Sequence, residues 1–149
     1  MHYAAHKHTA AEIIYELVDN QKPMVGMTNF KGNYITKDDV QIAKNYLSEK
    51  ELQILNLLVS QFLDYAELQA LEEHAMTMAD WIEEPNRQLS ANRRELLVGK
   101  GNKTHKQAVI KAEKEFKIYR DREMKQLESD FELTIKRLVK QGDFAEGEE

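Results

Sequence analysis

One apolar concentration constrains this chain more than any other feature: the stretch from Glu49 to about Ala79, centred on Ile54 to Leu63. Leu52, Leu55, Val59, Phe62 and Ala66 recur at the three- and four-residue spacing of one helix face, and Ile54, Leu58, Tyr65 and Leu68 fill a second. A helix apolar on two faces is expected to be buried on most sides, with the other segments packed around it. Ser48-Glu49-Lys50-Glu51 has the form of a capping box, in which the serine oxygen accepts from one free amide and Glu51 reaches back to another. The expectation is an all-α fold: about five helices around a buried central helix at about 49–75, with a long charged amphipathic C-terminal helix.

Only two prolines, Pro23 and Pro85, interrupt the 149 residues, so long helices are permitted. The absence of cysteine excludes a disulfide scaffold, thiol catalysis and cysteine-ligated zinc, and suits a reducing compartment. No run reaches the roughly 18 apolar residues of a membrane span, and the first residues lack a basic-then-apolar signal pattern. A soluble, cytoplasmic protein with no membrane partner is the expectation. The net charge of -5 argues against a uniformly basic nucleic-acid binder. Lys100 to Lys125 is nonetheless locally basic; Glu113, Glu115, Asp121 and Glu123 lie among its cations at helical spacings, so pairing within the helix is expected to absorb most of the charge. Nucleic acid is expected to bind this chain only weakly.

Thr9-Ala10-Ala11-Glu12 reads as a second capping box, opening a helix from about Ala10 to Asp19. Lys22 to Ile35 is a long connection with Met24, Val25, Met27 and Phe30 in it, expected to pack on the helices with a short hairpin around Lys31-Gly32-Asn33. Thr36 should cap a helix running to Leu47, and Thr77 another leading through Trp81, where Pro85 is tolerated near a first turn or at a kink. Trp81, Met76 and Met78 are expected in the core. Thr104 should open a helix to about Lys140. The resulting division is a helical core domain at 1–103, a long helix at 104–140 that packs on the core and projects from it, and a disordered acidic tail at 141–149.

The constellation with most chemical potential is His2, His6, His8 and Glu12. His2 and His6 lie one helical turn apart, so three imidazoles and a carboxylate are candidates for a divalent metal, with His6, His8 and Glu12 as the catalytic candidates of a hydrolase-like site. The competing reading is that Glu12 completes a cap while the histidines flank a helix start. No complete zinc-enzyme signature is present, which favours that reading. Lys31, Asn33 and Lys44 are polar enough for a ligand loop, although a solvated helix start explains them equally. Gly99-Lys100-Gly101-Asn102-Lys103-Thr104 fails as a phosphate loop, because asparagine precedes Lys103-Thr104 and no strand comes before it.

His6-Lys7-His8-Thr9-Ala10-Ala11-Glu12-Ile13-Ile14-Tyr15, Thr28-Asn29-Phe30-Lys31-Gly32, Ala43-Lys44-Asn45-Tyr46-Leu47, Ala66-Glu67-Leu68-Gln69-Ala70 and Met76-Thr77-Met78-Ala79-Asp80-Trp81 occur in order at consistent separations. Together they resemble the RhuM family of bacterial virulence-associated proteins, from His2 to about Tyr119. The resemblance implies that this is the carboxy-terminal part of such a protein, normally behind a segment similar to a helix-turn-helix DNA-binding module, so the chain is expected to be a separated half or a truncated piece. It also implies a setting on pathogenicity islands or mobile elements, sometimes beside toxin-antitoxin genes. The chain departs from the family pattern at Lys7, where glycine is usual, and at Leu17-Val18, where arginine-alanine is expected.

These readings converge on a non-enzymatic interaction or assembly module that needs no cofactor. The alternative is a catalytic or toxin-like domain with a divalent metal at the histidine cluster. Met124, Leu127, Phe131, Ile135 and Leu138 make an apolar stripe with spacings close to a heptad, on a helix too long for its own domain. A homodimer with Leu127, Phe131, Ile135 and Leu138 at the contact is therefore expected.

Overall fold

The computed structural model describes residues 1–146, and among these there are five α-helices and no strand. They are α1 (His2–His6), α2 (Ala10–Leu17), α3 (Glu49–Leu71), α4 (Met78–Ala91) and α5 (His105–Glu146), with 3-10 turns at Pro23–Gly26, Asp39–Gln41 and Ala43–Tyr46. The all-α expectation holds.

The core is built around α2 and the first three turns of α5. Ile13, Ile14 and Val18 face Ala108, Ala112 and Phe116, which recur every four residues along one side of α5. The two alanines are fully buried, and their small side chains let the helices approach closely. Val25, Val40, Tyr46 and Leu47 close the core from the loop side. Burying side chains of this size stabilises by roughly 1.5–3 kcal/mol each.

The buried central helix is corrected. Of α3 only Leu55 and Leu58 are buried, while Leu57 and Leu63 are each 58% exposed. The α5 face that was free to cover it is spent on α2, and the far half of α3 packs against α4 and the residues just after it, through an edge-on contact of Phe62 with Trp81 at 5.5 Å and bonds between Gln61 and Asn92. Trp81 and Met78 are accordingly exposed, not core. The helix also stops at Leu71 rather than about 75, because Glu73 turns to φ 58 and the amides of Glu73 and His74 bond back to Ala70 and Gln69. Arg93 at φ 59 ends α4 in the same way. Pro85 sits in the third turn of α4, not near its start.

Three further expectations change. The helix from Thr36 to Leu47 is replaced by two 3-10 turns broken at Ile42. Side chains take the carbonyls that an α-helix would use: Asn45 Nδ2 donates to Asp39 O at 2.9 Å and Tyr46 Oη to Val40 O at 2.6 Å. The hairpin at Lys31-Gly32-Asn33 is absent, although the connection packs as expected through Val25 and Met27. Finally, α5 continues through Glu146, past the expected end at Lys140, since Gly142 alone costs only about 1 kcal/mol in a helix. Residues 147–149 of the expected tail lie outside the described residues.

Candidate functional site

Ser48 and Glu51 form the capping box expected for α3, and Thr77 with Asp80 form another for α4. The start of α2 is different. Thr9 Oγ1 accepts from Glu12 N at 3.2 Å, but the Glu12 carboxylate does not reach the Thr9 amide. It accepts instead from the Thr9 hydroxyl at 3.1 Å and from Asn102 N at 3.3 Å, ninety residues along the chain. Glu12 is thereby buried, and its role is to fasten the Gly99–Thr104 loop to α2. Gly101 makes room for it: with φ +77, a Cβ at this position would lie 2.4 Å from Glu12 Oε1.

The three histidines do come together at the corner of α1, α2 and α3. His2 Nδ1 and His6 Nε2 are 3.0 Å apart, and His8 Nδ1 donates to the His6 carbonyl at 2.9 Å. The second nitrogen of His8 faces Glu16 at 3.6 Å. Burial lowers the pKa of His2, with the Met1 ammonium adding to the effect; burial lowers that of His6 too, reinforced by His2 and opposed by Glu51. Glu51 is held below the usual carboxylate range chiefly by the Ser48 amide. His6 Nδ1 is buried without a hydrogen-bond partner.

This arrangement separates Glu12 from the imidazoles, and among the described residues no group of three or more histidine, aspartate or glutamate side chains is disposed to hold a metal ion. A cavity of about 270 Å³ adjoins His2, lined also by Thr9, Asn86, Leu89, Glu95 and Leu96. Asn86 and Glu95 lie more than eighty residues from His2 in sequence, and no local pattern indicates that they share a cavity with it. Lys31, Asn33 and Lys44 are all exposed. Only Asn33 borders the apolar groove of about 620 Å³ between the 24–37 connection and α5, whose walls are Met24, Phe30, Ile35, Phe116 and Tyr119, with Leu127 at its edge.

The basic stretch of α5 is employed in holding α2 and the connection after it rather than in pairing along the helix. Glu115 accepts from Asn20 N at 2.9 Å, Lys111 donates to the Tyr15 carbonyl, Arg122 donates to the Asn20 carbonyl, and Glu113 pairs with Lys37 at 3.3 Å. Lys103 and Lys111 lie over the Tyr15 ring, at 4.3 and 4.6 Å. Beyond this anchored region α5 is bare. Leu127, Phe131 and Leu138 are 61 to 66% exposed and Ile135 43%, and of these four only Leu127 borders the groove beneath the 24–37 connection. No helix of the described residues is long and apolar enough to cross a membrane.

Comparison with known proteins gives one finding. The model of the virulence protein RhuM family matches residues 1–127, so the resemblance carried by the five motifs holds and extends past Tyr119. No curated protein and no solved structure matches the chain.

Proposed function

The chain belongs to the virulence protein RhuM family, and on that premise we propose that it is an interaction module that assembles through the far half of α5. The observation that carries this reading is the apolar stripe of Leu127, Phe131, Ile135 and Leu138, left in solvent beyond the last residue that α5 packs on the core. Each such side chain gains roughly 1.5–3 kcal/mol on burial, so an uncovered stripe of this size favours association. Light scattering tests this: the wild type runs as a dimer at micromolar concentration and Leu127→Glu/Ile135→Glu as a monomer. A monomeric wild type, or a variant that still dimerises, defeats the reading.

A second reading, metal-assisted catalysis at His2, His6 and His8, has one observation in its favour, the unpartnered buried Nδ1 of His6. Against it, His2 Nδ1 and His6 Nε2 are committed to each other and His8 Nδ1 to a carbonyl. Stoichiometric zinc or manganese in untagged protein, lost together with an activity in His6→Ala, would replace the assembly reading.

A further inference from the structure

The bare half of α5 carries a charge pattern as well as an apolar one, and the two together fix how a second copy lies on it. With Met124, Phe131 and Leu138 at the a positions of a heptad and Leu127, Thr134 and Gln141 at d, the flanking g positions are Glu123, Asp130 and Arg137 and the e positions Glu128, Ile135 and Gly142. Asp130 and Arg137 form no ion pair among the described residues. Standing seven residues apart on one helix edge, about 10.5 Å along the axis, they are too distant to satisfy each other. Thr134 is compatible with a seam, since its hydroxyl already donates to the Asp130 carbonyl at 2.9 Å and leaves its methyl group to pack.

In a parallel pair each g position meets the e position five residues later on the other chain. Glu123 would then face Glu128, and Asp130 would face Ile135, each twice. That arrangement opposes like charges and sets a carboxylate against an isoleucine. In an antiparallel pair g meets g and e meets e. With the chains aligned so that Leu127 opposes Leu138, Phe131 opposes Thr134, the two-fold axis passes between Glu132 and Leu133 and Asp130 of one copy meets Arg137 of the other twice. The e positions then set Ile135 beside Glu128, so the preference for this arrangement rests on the two Asp130–Arg137 pairs and on the separation of Glu123 from Glu128. Shifting the chains by a heptad in either direction brings Asp130 onto Asp130 or Arg137 onto Arg137.

We propose that two copies of this chain pair antiparallel through residues 124–142, about a two-fold axis between Glu132 and Leu133, with Asp130 and Arg137 as reciprocal partners. The interface is isologous and closes on itself, so it yields a dimer and not a filament. The proposal rests on the assembly reading above. The absence of cysteine makes the test clean. Leu127→Cys and Leu138→Cys full-length chains are prepared separately, checked for unchanged helicity, mixed and oxidised. A mixed disulfide between the two variants, with little cross-linking of Leu138→Cys alone, is the expected result. In the antiparallel pair the two Leu138 positions are about 16 Å apart along the axis, well beyond the reach of a disulfide. Ready cross-linking of Leu138→Cys with itself overturns the antiparallel geometry while leaving a dimer. A dimer that cross-links in neither experiment overturns it too, and a wild type that sediments as a monomer removes both the proposal and the reading beneath it.

Discussion

The Nδ1 of His2 lies 3.0 Å from the Nε2 of His6, one turn further along α1, so one proton serves two rings. Protonating both puts two like charges in contact at a half-buried corner.

From this contact follows a pH dependence of stability. Both rings have pKa values below the ordinary 6.5, first through burial, so the unfolded chain binds more protons than the folded one as pH falls through that range. Their contribution is therefore whole above about pH 6.5 and is lost as acid drives protons onto the folded state. Thermal melts between about pH 7.5 and 5.5 should show a falling Tm, and His2→Asn/His6→Asn should flatten the profile. A wild-type Tm that is level across the interval refutes it.

Lys7 ends α1 at φ 63, ψ 18, in the left-handed region where glycine is at ease and a lysine Cβ is strained. The family pattern that the sequence resembles has glycine there. Lys7→Gly should stabilise by about 1 kcal/mol, a rise of about 2–4 °C in Tm for a chain of this size. Calorimetry checks it, with Lys7→Ala as the control that keeps the Cβ and gains nothing.

The link between Glu12 and the 99–104 loop predicts a coupled pair of losses. Gly101→Ala places a methyl group 2.4 Å from Glu12 Oε1 at a positive φ and should cost about 1–3 kcal/mol. Glu12→Ala frees that space but leaves the Asn102 amide unpartnered, for about 1–3 kcal/mol. Denaturant unfolding of the double variant should show less than the sum of the two, because each removes the same contact. Strict additivity would mean that loop and helix do not touch.

Nucleic-acid binding should be feeble, since Lys111 and Arg122 already serve the carbonyls of Tyr15 and Asn20 and Glu113 and Glu115 lie among the remaining cations. Fluorescence anisotropy with a mixed-sequence duplex should give weak binding that collapses between about 50 and 200 mM salt. Tight binding that survives salt and prefers one sequence contradicts this.

What could be read from sequence was whatever acts within four residues. The caps at Ser48 and Thr77 satisfy amides three positions away, so their chemistry is written locally and the structure keeps both. Thr9 keeps its cap as well, yet its partner Glu12 turns to Asn102, a choice made by a loop that no local pattern connects to α2. The apolar run of α3 was a fair sign of a helix and a poor sign of a centre. Hydropathy reports that a face prefers cover, while Ala108 and Ala112 decide which helix obtains it, and they pack on Ile13 and Ile14. The histidines were visible as a group, but Asn86 and Glu95 reach the cavity beside His2 only through the turn of the α3–α4 pair.

The α5 helix runs without a break from its buried alanines to its bare leucines, so the two ends share one rotational phase. Phe116 and Leu127 are eleven residues apart, which at about 100° per residue leaves them about 20° from alignment. Whatever direction the core gives Phe116, the outer stripe inherits. Inserting two residues at Arg122 would turn that stripe by about 200° and point it away from any partner, whereas inserting seven would bring it back to within about 20°. The helix thus transmits bearing as well as reach, and its tolerance to length change should rise and fall with the turn of the helix.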